Sequence, residues 1–412
     1  MKSLTLKVVV ILMMVFLVTP SLIFSQSSEN RQIGDDLRFP NLPFYSYGSG
    51  LGFTTPDSTF RLNIRFRMQN RTTFINRDQG ENRVEASVRR LRLRFDGFVG
   101  DPRFLYAIQL SFAPGDVGEI TPGDNLNVIR DAIFYYRPND YWSIGFGQTK
   151  LPGNRQRVNS SGALQLTDRS INNARYTIDR DYGIFINYQL EDVDRFSWAF
   201  KSAISTGDGR NYTRNPDTAL AYTGRVELYP LGAFLSNGTL FEGDIKREQT
   251  PKLLIGATYH LNLGAKRTRG QTGDELYELR DITSVHLDAM LKYRGFAAQA
   301  AYMNRRATDP LTINQFDINE FQFVHTGDGM DFQASYLFHS NYEIIGRYSA
   351  LIPGKVAKDY QPEIDQLSFG VTRYIWEHGL KLQTELTHST FSAYDGNKSK
   401  EWYLRFQIEI GI

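Results

Sequence analysis

Along most of this chain, apolar and polar side chains alternate in short runs. Between residues 61 and 71 the even positions carry Leu62, Ile64, Phe66 and Met68. The odd positions carry Arg61, Asn63, Arg65, Arg67, Gln69 and Arg71. A strand sends successive side chains to opposite faces, so this period of two predicts a strand with one apolar and one cationic face. Residues 90–96 repeat it, with Leu91, Leu93 and Phe95 against Arg90, Arg92, Arg94 and Asp96. The last run sets Trp402, Leu404, Phe406, Ile408, Ile410 and Ile412 against Tyr403, Arg405, Gln407 and Glu409. Sixteen such runs are predicted: 59–73, 88–98, 104–112, 128–137, 141–148, 181–190, 196–204, 221–229, 251–262, 283–294, 296–304, 330–338, 342–350, 365–374, 380–388 and 401–412.

The connections alternate in length. Long ones are expected at 74–87, 113–127, 149–180, 205–220, 263–282, 305–329, 351–364 and 389–400. Tight turns lie between them, as at Gly100-Asp101-Pro102, Pro138-Asn139-Asp140 and His339-Ser340-Asn341. Short periplasmic turns, long external loops and an even strand count describe an outer-membrane barrel. The fold expected is therefore all-β: a transmembrane antiparallel β-barrel of about sixteen strands over residues 59–412. Aromatic residues near the short turns (Tyr136, Tyr141, Trp142, Tyr293, Phe296, Tyr374, Trp376) are expected to form an interfacial girdle. Connection 230–250 departs from the alternation, being long on the short side, and residues 313–324 alternate only weakly.

Composition agrees with a wall greasy outside and wet inside. Aromatics make up 13% of the chain, yet mean hydropathy is −0.39. Lys2 and Lys7, an apolar run over 8–18 and Pro20 before Ser25 read as a secretory signal peptide over 1–25, cut before Gln26. Residues 26–58, rich in Ser, Gly, Asn and Pro, are expected to be a loose N-terminal segment. Without Lys2 and Lys7 the 47 basic residues fall to 45, equal to the 45 acidic ones. Any electrostatic function must then come from where the charges sit. With no cysteine, thiolate metal sites and disulfides are excluded.

Placement points to the arginines. Arg61, Arg65, Arg67, Arg71, Arg90, Arg92 and Arg94 share the polar parity of the first two strands. Each would cost ~2–4 kcal/mol facing lipid near the midplane, so they must line water. Arginine-lined pores pass anions and phosphate, since the guanidinium stays charged and offers a planar fork to oxyanions. Alternatively they pair with inward carboxylates such as Asp96, Glu227, Asp288 and Glu385 and brace the wall. Loop 149–180 carries Lys150, Arg155, Arg157, Arg169, Arg175 and Arg180 and is long enough to fold inward and narrow the lumen. Ser284, His286 and Asp288 share one strand face, which leaves a weak hydrolase pattern open. No metal spacing, cofactor motif or nucleic-acid motif is found.

Several short motifs resemble the phosphate-selective porin O and P family. They are Gly147-Gln148-Thr149-Lys150-Leu151-Pro152, Ser160-Ser161, Arg169-Ser170, Arg180-Asp181-Tyr182-Gly183, Gly224-Arg225-Val226-Glu227-Leu228-Tyr229-Pro230 and Gly346-Arg347-Tyr348-Ser349. Asp168 precedes Arg169 where Glu is common in that family. The resemblance implies a homotrimeric sixteen-stranded porin in the outer membrane of a Gram-negative bacterium. It further implies that the third external loop folds inward and that small anions such as phosphate pass along an arginine-lined path. A general diffusion porin with salt-bridged arginines, or a structural or adhesive barrel, is the alternative expectation. Small anionic solutes, outer-membrane lipid and copies of the chain are the expected partners, with no nucleic acid and no cofactor.

Overall fold

Inside a bilayer every backbone N–H and C=O must find a partner within the protein, so a sheet can cross only if it closes on itself. The computed structural model describes residues 50–118, 127–211 and 218–412 and meets this condition. The signal-peptide expectation and most of segment 26–58 lie outside the described residues.

The strands are β1 (Leu51–Thr54), β2 (Phe60–Arg77), β3 (Arg83–Val99), β4 (Asp101–Ser111), β5 (Ile129–Tyr136), β6 (Trp142–Lys150), β7 (Arg180–Leu190), β8 (Ser197–Ser205), β9 (Ala221–Tyr229) and β10 (Lys252–Arg267). They continue as β11 (Glu275–Tyr293), β12 (Phe296–Ala307), β13 (Leu311–Ile313), β14 (Phe321–Phe323), β15 (Gly327–Leu337), β16 (Tyr342–Pro353), β17 (Glu363–Trp376), β18 (Leu380–Ser392) and β19 (Lys398–Gly411). Neighbours from β2 to β12 pair in order, β12 pairs with β15, and β15 to β19 follow in order. β19 then pairs with β2, from Glu401↔Arg77 to Gly411↔Arg67, and shuts the barrel at sixteen strands. Every one of these pairings is antiparallel, as expected. Strand β1, which the sequence left inside a loose segment, pairs with β2 from Leu51↔Ile64 to Thr54↔Arg61.

All sixteen predicted runs are strands, but many reach further towards the loops. The connection expected at 74–87 is only 78–82, and those at 263–282 and 389–400 shrink to 268–274 and 393–397. Above the bilayer no lipid selects an apolar face, so alternation fades while the backbone ladder continues. The weakly alternating residues 313–324 belong to a separate hairpin, β13 with β14, outside the barrel wall.

Burial follows the parity. In β16, Ile344 and Tyr348 are exposed to the outside, whereas Glu343, Arg347 and Ser349 are buried inside. Tyr141, Trp142, Tyr293, Phe296 and Trp376 are exposed near the short-turn rim, as a girdle requires. Tyr374 is not part of it. It shares parity with Gln366 and Ser368, is buried in the lumen, and its hydroxyl donates to Glu343 at 2.6 Å.

Segment 230–250 enters the barrel from the short-turn side. Phe234 packs inside against Tyr229, Leu254 and Met290. Lys292, inward on β11, donates to the carbonyls of Gly238, Phe241 and Gly243 at 2.7, 2.9 and 2.7 Å. The Arg247 guanidinium donates to the carbonyls of Leu337 and Phe338. The long connection on the short side is therefore an inward-folded element, nailed down by cations.

Candidate functional site: charged residues in the lumen

The β2–β3 register sets Arg65 opposite Arg94 and Arg67 opposite Arg92. Like charges opposite one another destabilise a sheet unless something intervenes. Asp96 does so for one pair, binding both Arg65 and Arg94, the latter at 2.9 Å. Arg67 donates to the hydroxyls of Ser160 and Ser161 at 2.9 and 2.7 Å and lies 3.8 Å from Glu409. Arg61 sits near the short-turn rim, where its Nε donates to Asn63, apart from the other arginines.

Two β-bulges add cations that parity counting misses. The ladder slips between Gln69 and Asn70, which face Arg90 and Val88, so Arg89 is the extra residue. A second slip between Gln109 and Leu110 makes Arg130 the extra residue beside Asp131. A bulge re-aims a side chain. Arg89 here joins Arg90 on the lumen side, and Arg130 is buried alongside Asp131. Each bulge thus places two consecutive charged residues inside.

The 149–180 connection lies against inward-facing side chains of the wall. It contains α2 (Arg155–Val158) and α3 (Ile171–Tyr176); α1 (Pro114–Val117) lies in the preceding loop. Wall side chains hold it largely by its backbone. Lys150 donates to the carbonyls of Val158 and Asn159 at 2.7 and 3.1 Å, and Lys381 to those of Gly162 and Leu164 at 2.8 and 2.7 Å. Arg305 donates to the carbonyls of Tyr176 and Thr177 at 3.0 and 2.8 Å. Leu166 seats over Gly370, where a Cβ would stand 2.3 Å from Leu166 Cδ2. The loop also touches segment 230–250, since Gln165 N–H donates to Glu242 at 2.9 Å.

Asp168 on this loop gathers three arginines. Arg71 donates to it at 3.1 Å, Arg89 at 2.9 and 2.8 Å, and Arg90 at 2.8 Å. Burial alone would raise its pKa, but Arg90, Arg89 and Arg71 hold the carboxyl well below the ordinary carboxylate range. Asp116 on α1 likewise takes Arg92 at 2.7 Å and Arg130 at 2.8 Å. Burial opposes its ionisation, yet those two arginines keep its pKa lowered.

Three cavities follow one another along this wall. The outer one, of about 600 Å³, is lined by nine arginines against Asp116, Asp168, Asp179 and Glu401. The middle one, a waist of about 20 Å³, is lined by Arg92, Arg94, Gln109, Arg130, Lys150, Arg157, Ser160, Ser161, Arg169 and Arg180, with no carboxylate. The inner one, of about 50 Å³, runs past Arg65, Arg67, His378 and Glu409 to Ile412. Arg92 borders all three. Of the residues picked from sequence, Arg92, Arg94, Lys150, Arg157 and Arg169 meet at the waist. Arg71 and Arg90 sit above it, and Arg65 and Arg67 below. Arg155 lies elsewhere, between Glu227 and the carboxylate of Asp288.

No serine-hydrolase geometry forms on β11. Both Asp288 oxygens accept from Arg225 at 2.7 Å, and Ser284 accepts from Arg305 at 3.3 Å.

A comparison with curated proteins finds no match. Solved structures with the same fold are outer-membrane proteins. The OmpF of Salmonella typhi, solved with daunomycin, superposes with a TM-score of 0.53 at 13% identity, covering 87% of this chain and 100% of its own. The outer-membrane channel DcaP of Acinetobacter baumannii gives 0.51 at 13%, covering 88% and 99%. A loop-deleted OmpT of Vibrio cholerae gives 0.50 at 12%, covering 84% and 99%. Over residues 60–324, more than half its length, the chain matches the family described as phosphate-selective porin O and P, and it belongs to that family of outer-membrane channels.

Proposed function

We propose that this chain is a passive diffusion channel that prefers small anions such as phosphate, works as a homotrimer, and is exported by a signal peptide cut near Ser25. The observation that carries the anion preference is the waist. Its seven cations are Arg92, Arg94, Arg130, Lys150, Arg157, Arg169 and Arg180. Asp116, Asp96, Asp179 and Asp131 pair with five of them from behind, and none of these carboxylates borders the waist. The Arg169 guanidinium donates to carbonyls of its own loop, Gln156 at 2.7 Å and Asn159 at 2.9 Å. Arg94 Nη2 and Arg130 Nε are buried donors without a hydrogen-bond partner among the described residues. Buried donors of this kind require water or a passing anion. The pairing orients the guanidiniums, and their number leaves the passage positive.

A second reading, a general diffusion porin, is favoured by the ion pairs themselves, since Arg65, Arg71, Arg90, Arg92 and Arg94 all have a carboxylate partner. The reversal potential of the purified protein in a planar bilayer under a KCl gradient decides between them. A clear chloride preference is expected; zero or cationic preference would refute the anion reading. Mass measurement in detergent should give three chains, and a clean monomer would contradict the trimer. Intact mass should begin close to Gln26; retention of residues 1–25 would contradict the processing.

A further inference from the structure

The outer cavity is some thirtyfold larger than the waist beneath it, about 600 Å³ against about 20 Å³. Its size is that of a small-molecule site, for which ~300–1,000 Å³ is typical, while the waist has room for little more than a water-sized group. A wide mouth that only funnelled inorganic ions would have no use for apolar lining, yet apolar side chains border this cavity. Ile171 of α3, Ile364 of β17 and Phe391 of β18 belong to one hydrophobic cluster and border the cavity. Past the polar Gln366, Ser389 and Glu401 lies Tyr403 of β19, and the Arg405 guanidinium lies over its ring at 3.9 Å.

The cations around the cavity are not all neutralised. Arg169, Arg210, Arg269 and Arg405 border it and form no ion pair with a carboxylate among the described residues. Arg405 Nε is buried with no hydrogen-bond partner among them. An unpaired donor and nearby apolar side chains bordering one cavity match a ligand that is anionic at one end and apolar at the other.

We propose that the outer cavity is a binding site for organic anions that join a phosphate or carboxylate to a ring-sized apolar body, and that such anions occupy it without passing the waist. This rests on the anion-path reading above. The anionic group satisfies Arg405 and its neighbours, while the ring covers Phe391, Ile364 and Ile171. An anion so held closes the current path from the loop side.

The test uses the full-length assembled protein in planar bilayers, with phenyl phosphate and inorganic phosphate as probes, each added to one chamber at a time. Phenyl phosphate on the loop side should interrupt the chloride current at a concentration at least tenfold below that of inorganic phosphate. Phe391→Asn on β18 and Ile171→Asn on α3 should each raise the half-blocking concentration of phenyl phosphate about tenfold, as loss of the apolar contact implies, and leave that of inorganic phosphate in place. The two variants lie on separate elements, and chloride conductance certifies that each has assembled. Equal block by the two probes, undiminished block in both variants, or equal block from the short-turn side would overturn the proposal. The chloride preference measured in the same membranes reports separately on the anion-path reading.

Discussion

Replacing Asp168 by asparagine removes one negative charge from the outer cavity and keeps the side chain's size. The change acts on stability and on conduction, with separate readouts. Breaking a buried ion pair from one side typically costs ~3–5 kcal/mol. The Asp168 side chain is 21% exposed, so solvent takes up part of that cost. We expect about 2–3 kcal/mol against docking of the 149–180 loop, because Arg71, Arg89 and Arg90 are left crowded together. This should lower the melting temperature of the assembled barrel in detergent. Conduction moves the other way. The cavity then holds nine arginines against three carboxylates. An ion passing about 7 Å from the lost charge gains or loses ~0.6 kcal/mol in water; anion and cation move in opposite senses, so their permeability ratio shifts by ~1.2 kcal/mol, about sevenfold before screening. The shift should be clear near ~0.1 M salt, where the Debye length is ~10 Å, and should fade near ~1 M, where it is ~3 Å. Reversal potentials of the wild type and D168N at both salt levels check this. An unchanged ratio at low salt, or a move towards cations, would refute the role given to the chamber's charge.

Three further outcomes are expected. Gly370→Phe fills the notch under Leu166 and should lift the inward loop, which raises single-channel conductance; an unchanged conductance in an assembled variant would count against the loop as the constriction. Lys292→Met removes three charge-assisted bonds to segment 230–250, and at about 3 kcal/mol of lost docking should speed proteolysis within residues 235–249 roughly a hundredfold, with the barrel intact; equal cleavage of the two proteins would show that the segment is held by other contacts. The third concerns acid. Asp168 and Asp116 have folded pKa values below their unfolded ones, so their stabilisation is complete above the usual carboxylate value of ~3.9 and fades only as pH falls through the lower folded values. These two carboxylates should therefore contribute no titration of ion preference between neutral pH and about pH 4, and a titration in that range that is lost in D168N would contradict the Asp168 assignment.

The sequence carried the barrel because lipid enforces a period of two, and all sixteen runs could be read from Phe60 onward. It carried the inside–outside sense for the same reason. Arg65, Arg67, Arg90, Arg92 and Arg94 are where parity puts them. Parity also argued for Tyr374 inside, and grouping it by proximity to Trp376 was the error. What stayed hidden needs two strands to define it. A bulge exists only relative to a partner, so Arg89 and Arg130 read as outward or unremarkable until Val88 and Ile129 are seen facing Asn70 and Leu110. The hub at Asp168 joins a loop to strands some eighty or more positions away, and no local pattern encodes that. Segment 230–250 did leave a trace: its length on the short side, together with Lys252 and Lys292 taking inward positions at the short-turn ends of β10 and β11.

Lysines and arginines that grip main-chain carbonyls leave the choice of side chain above them open. Lys150, Lys381 and Arg305 together fix the course of the inward loop through oxygens that every amino acid possesses. The grips themselves do not use the side chains of Val158, Asn159, Leu164, Tyr176 and Thr177, whereas Ser160 and Ser161 bind arginines and a Cβ on Gly162 would stand 2.4 Å from Arg67 Nη1. A channel built this way can change what it admits by substitutions in the loop alone, on an unaltered frame. For an engineer, the same arrangement marks the loop positions other than Ser160, Ser161, Gly162, Leu166 and Asp168 as the part to vary and the three cations as the part to leave in place.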